Sequence, residues 1–82
     1  MEELIKILDK TLNNVNYEKE TKLLTDGKID SVELVKIIVA LEEKFQIEIL
    51  LDEIIPENFD SIYEMWNMVQ RISEETKRDR DK

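Results

Sequence analysis

An 82-residue chain with 39% charged residues and a formal net charge of −8 has room for one small domain and repels nucleic acid. It contains no Cys and no His, which removes disulfides, thiolate or imidazole metal sites and any Ser–His nucleophile pair. Self-contained catalysis is therefore not expected, and one Gly, one Pro and few aromatics favour an all-α class.

Met1 leads straight into an acidic amphipathic segment rather than a signal peptide. No apolar run approaches the roughly twenty residues of a membrane span, so a cytoplasmic protein is the expectation. Leu4, Ile5, Leu8, Leu12 and Val15 recur at helical spacing, with Glu2, Glu3, Lys6, Asp9 and Lys10 between them, and predict a first helix over residues 2–14. Asn13 and Asn14 are its stop residues. From Val15 to Ile29 no periodicity is sustained. Leu23, Leu24 and Ile29 can pin this stretch to a core, while Thr21, Thr25 and Gly27 suit turns. A loop of about fifteen residues is long for a compact domain and usually has a function or some local helix of its own.

The second helix is predicted over Ser31–Phe45, and its start is the most informative place in the chain. Asp30 is a good N-cap, and Glu33 stands where a capping-box partner belongs. Ser31 is then the first helical residue, with its hydroxyl facing solvent. A phosphodiester on that hydroxyl would lie against the positive end of the helix dipole and its unpaired N–H groups. Leu34, Ile38, Leu41 and Phe45, with Ile37 beside them, form the core face. Val32, Val35 and Val39 form a second apolar strip. It either widens the buried stripe or stays exposed, as a patch for a partner or a wall of a ligand cavity.

Residues 46–60 carry Ile47, Ile49, Leu50, Leu51, Ile54, Ile55 and Phe59 around Pro56. The alternation at 47 and 49 would suit a strand, but a lone strand has nothing to pair with. A connector with a short helical turn begun by Pro56 fits better. Ser61 and Glu64 repeat the capping-box pattern and open a last helix, lined inside by Ile62, Met65, Trp66, Val69 and Ile72. That helix is expected to reach about Ile72 or a little beyond. Beyond it SEETKRDRDK is charge-balanced and without an apolar residue, which predicts frayed helix or a disordered tail, with the domain covering 1–75 and the tail 76–82.

The run Asp30-Ser31-Val32-Glu33-Leu34, the following Leu41-Glu42-Glu43-Lys44-Phe45 and Ile47-Glu48-Ile49 resemble the acyl and peptidyl carrier proteins. The resemblance covers about Leu4 to Ile72. It implies a small antiparallel bundle of three main helices and a short third one, with a long loop between helices one and two. It implies that Ser31 receives 4′-phosphopantetheine from coenzyme A through a separate phosphopantetheinyl transferase, with Asp30 orienting the motif. The resulting monomeric carrier would hold an acyl or aminoacyl thioester and catalyse nothing itself. The partner-facing residues on this reading are Val32, Glu33, Val35, Val39, Glu42, Glu43 and Ile49, with Asp30 and the three glutamates meeting basic patches on loading and transferring enzymes. Lys36 departs from the acidic residue that fatty-acid carriers typically have there. The two residues between Gly27 and Asp30, where fatty-acid carriers commonly have one, lean toward peptidyl, D-alanyl or specialised acyl carriers. The cargo (fatty acyl, polyketide, amino acid or D-alanine) stays open.

Two other classes fit parts of the chain. Asp26-Gly27-Lys28-Ile29-Asp30 and Glu33 copy the second half of an EF-hand calcium loop, but its first and third positions would be Lys22 and Leu24, where oxygen ligands are required. An unmodified helical module could instead use the Val32, Val35, Val39 strip to hold a partner helix.

Overall fold

The computed structural model describes residues 1–12 and 16–80. Over these residues the chain is all-helical and without strand, with four α-helices: α1 (Glu2–Thr11), α2 (Ser31–Phe45), α3 (Pro56–Phe59) and α4 (Ile62–Arg80). A single 3-10 turn, Leu51–Glu53, precedes α3. None of the described helices is long and apolar enough to cross a membrane.

Each helix starts where a local signal says it should. Glu2 and Glu3 in the first turn of α1 and Lys10 in its last oppose the helix dipole with the stabilising sign. The helix stops at Thr11, with Leu12 already extended, so it ends short of the predicted Asn13 and Asn14; those residues and Val15 lie outside the described ones. Pro56 opens α3, where its missing N–H costs nothing. Ser61 caps α4 by accepting the Glu64 N–H at 3.1 Å. Rather than ending near Ile72, α4 runs on to Arg80. Most of its extension is Glu, Lys and Arg, which are good helix formers, and Arg71 lies 3.8 Å from Glu75 one turn on. Lack of apolar residues removes a reason to pack, not the ability to be helical.

Contacts join α1 to α2, α3 to α4, and both α1 and α2 to α4. Leu4 and Leu8 of α1, Ile37 and Leu41 of α2, Phe59 of α3 and Met65, Met68 and Val69 of α4 are fully buried at their junction. Leu34, Ile38 and Phe45 pack against this core while partly exposed, so the inner face of α2 is centred on Ile37 and Leu41. Trp66 meets Phe45 edge-on, with ring centroids 5.8 Å apart. The left-handed Gln46 ends α2, and the chain then runs without helix or strand through Ile47 and Ile49, which are both buried.

Polar ties hold what the core does not. Arg71 of α4 grips Glu53 with two hydrogen bonds of 2.6 and 2.7 Å, and the Asn58 amide donates to the Glu53 main-chain carbonyl at 2.7 Å. This bidentate pair fixes the 3-10 turn against α4. It also holds the Glu53 carboxyl below its ordinary range, chiefly through the hydrogen bonds from Arg71. Lys44 and Glu3 form a more exposed pair at 3.1 Å between α1 and α2, of a kind that contributes little. Tyr17, buried in the loop after α1, donates its hydroxyl to Asp9; that hydrogen bond is the main reason its pKa is raised to about 12.

Candidate functional site

The start of α2 has the capping geometry that its sequence predicts. The Glu33 N–H donates to Asp30 Oδ1 at 2.7 Å, and the Asp30 N–H donates to Glu33 Oε1 at 3.0 Å. The Leu34 N–H closes the first turn on the Asp30 carbonyl at 2.9 Å. Ser31 is the first helical residue and is exposed. Its own N–H and that of Val32 belong to the first-turn donors that a helix cannot satisfy internally. Of the three serines in the chain, Ser61 is buried with its hydroxyl engaged and Ser73 is half-buried on α4. Ser31 alone combines an open side chain with a donor-rich helix tip.

Beyond Ser31 lies an apolar strip that is not part of the core. Val32, Val35 and Val39 are 62%, 58% and 47% exposed. With Glu43 they fall at i, i+3, i+7 and i+11, one stripe along the helix, on the side opposite Ile37 and Leu41. The alternative that these valines widen the buried stripe is thereby set aside. Because Val35 buries little and alanine is the better helix former, Val35→Ala should raise stability by up to about 0.5 kcal/mol. A loss of more than about 1 kcal/mol by urea denaturation would mean that the strip is packed after all.

The acidic residues divide by what they touch. Glu33 is held by the capping box. Glu42 is half-buried, and its Oε2 accepts the Ile49 N–H at 2.9 Å, which ties the segment after α2 back to that helix. Glu43 is exposed and continues the valine stripe. Ile49 does not join this surface: it is 6% exposed and part of the core, which corrects its expected place among the partner-facing residues. Alternation along 47–50 turns Ile47 and Ile49 inward and leaves Glu48 and Leu50 outside.

Asp30 and Glu33, which an EF-hand would need as ligands, are committed to each other's main chain. Among the described residues no group of three or more acidic side chains is placed to hold a metal ion. Gly27 adopts φ 72 in the turn before Asp30, a conformation glycine takes without strain, and nothing crowds the space a Cβ would occupy.

The loop that leads to the site is held by a residue that the sequence gives no reason to single out. Asp60, just past α3, accepts from the loop leading to α2: from the Leu24 N–H at 3.0 Å, the Thr25 N–H at 2.8 Å and the Thr25 hydroxyl at 2.7 Å. Partial burial pushes the Asp60 carboxyl up, but these hydrogen bonds, with Lys22 nearby, outweigh it and hold the group below its ordinary range. No local signal announces this role, because the partners lie 35 and 36 residues away in sequence.

Glu53 and Asp60 together give acid sensitivity a definite sign. Both bind protons less readily folded than unfolded, so their contribution is complete above the ordinary values of 4.5 and 3.8 and is lost as pH falls through the lower folded values. Arg71, itself beside Glu75 and Asp52, and the Asn58 amide face the first group, and Lys22 lies near the second. Urea midpoints should therefore fall on acidification below about pH 4, and fall less steeply in a Glu53→Gln, Asp60→Asn double variant. Equal slopes in the two proteins would remove these carboxyls as the cause.

No family model matches the chain, and neither the curated proteins nor the solved structures include a significant match.

Proposed function

We propose that this chain is a free-standing carrier whose Ser31 bears a 4′-phosphopantetheine arm. One observation carries the reading: the single open serine hydroxyl sits at the first position of a fifteen-residue capped helix, with solvent beside it for a tether to leave. In the modification, Ser31 Oγ forms a bond to the phosphorus that links pantetheine to the nucleotide in coenzyme A. The bond from that phosphorus to the nucleotide's bridging oxygen breaks, and the serine proton passes to a base on the transferase. No histidine or cysteine in this chain could take that part. Asp30 orients the helix tip, and the Ser31 and Val32 N–H groups face the phosphodiester.

The resemblance set out above supplies the identity of the arm and the antiparallel arrangement of the bundle, with α3 as its short third helix. Val32, Val35, Val39 and Glu43 form the docking stripe for loading and transferring enzymes, with Asp30, Glu33 and Glu42 adding negative charge around it. Contacts of that kind speed encounter and permit release, as a shuttle requires. The exposed valines also suit an unmodified interaction module. Incubation with coenzyme A and a broad-specificity phosphopantetheinyl transferase, followed by intact-mass measurement, separates the two: a carrier gains one phosphopantetheinyl group and an interaction module gains none.

A further inference from the structure

Ser31 stands at the end of a loop, and that loop is held from the far half of the chain. The Asp60 carboxylate receives three hydrogen bonds from Leu24 and Thr25, and the Asp60 main-chain carbonyl takes a fourth from the Leu23 N–H at 2.8 Å. Leu23 is fully buried, and its carbonyl in turn accepts the Lys28 and Ile29 N–H groups at 2.8 and 3.2 Å. The Asp26 N–H returns to the Lys22 carbonyl and the Gly27 N–H to that of Leu24, at 2.8 and 3.1 Å. The hydrogen bonds thus run without a break from Asp60 to Ile29, the buried residue that directly precedes the Asp30 cap.

We propose that Asp60 is the positioning residue for Ser31: by fixing the 23–29 turn from the α3–α4 junction, it sets how the serine is presented to the enzyme that modifies it. This rests on the carrier reading. A carboxylate suits the task because its two oxygens serve three donors at once, and charge-assisted bonds are stronger than neutral ones. Without it, Leu23 and Ile29 still anchor the loop at two points, but Leu24–Gly27 regains backbone freedom. Ser31 then samples orientations that the transferase cannot use. A smaller competent fraction weakens apparent affinity and leaves the chemical step unchanged.

Asp60→Ala, Asp60→Asn and Thr25→Val in the full chain, with coenzyme A and a broad-specificity transferase, test this. Asp60→Ala should keep its helical circular dichroism and lose amide-exchange protection at Leu24 and Thr25. Its KM as protein substrate should rise roughly tenfold while kcat stays within about twofold. Asp60→Asn, which keeps one acceptor oxygen for the two N–H groups, should recover most of the loss. Thr25→Val removes a single hydrogen bond and should shift KM the same way by a smaller factor, which keeps the test decisive if Asp60→Ala does not fold. Ile72→Val, which loosens the core elsewhere, should leave KM alone. Wild-type KM in folded Asp60→Ala, or a fall in kcat at constant KM, overturns the positioning role while leaving the carrier reading intact. Failure of the wild-type chain to be modified at all overturns both.

Discussion

Ser31→Ala should accept no phosphopantetheine and the wild-type chain should accept one group, an all-or-none difference read by intact mass. The substitution is structurally mild. Asp30 still caps α2 through the Glu33 N–H, Ser31 is exposed, and alanine is at least as good a helix former. Stability should stay within about 0.5 kcal/mol of wild type, so a missing mass shift cannot be blamed on unfolding. Specificity for this serine follows from the other two, since Ser61 is buried with its hydroxyl occupied by the Glu64 N–H, and Ser73 sits half-buried along α4. Two results defeat the expectation: a wild type that gains nothing, or an alanine variant that still gains the group. The first removes the carrier reading, and the second moves the attachment elsewhere.

Phe59→Ala should be the most damaging core truncation, at about 3–5 kcal/mol. Phe59 is fully buried and belongs to the four-residue α3, which is far too short to be stable by itself. The helix persists because this ring enters the core while Asn58 and the Glu53–Arg71 pair hold its approach. A domain of this size has on the order of 5 kcal/mol of net stability, so the variant should keep roughly 0–2 kcal/mol and sit at the edge of unfolding at room temperature. Phe59→Leu keeps most of the volume and should cost under about 1.5 kcal/mol. Urea denaturation of both variants checks this. A loss below about 1.5 kcal/mol for the alanine variant would show that the junction can collapse around the missing ring.

The Asp30–Glu33 box, the extent of α2, the Pro56 start of α3 and the Ser61 cap of α4 were all legible in the sequence. Caps and apolar periodicity act between residues within about four positions of one another, and such signals survive in a linear string. The same locality fixed Ser31 as the first helical residue and hence as the candidate site. Tertiary packing decided the rest. It buried Ile49 against α2, left Val32, Val35 and Val39 facing outward, and brought Asp60 to the Leu24–Thr25 turn from the other half of the chain. An apolar residue reads the same whether a neighbouring helix covers it or not. A carboxylate gives no sign of partners that lie 35 residues away until the chain has folded back on itself.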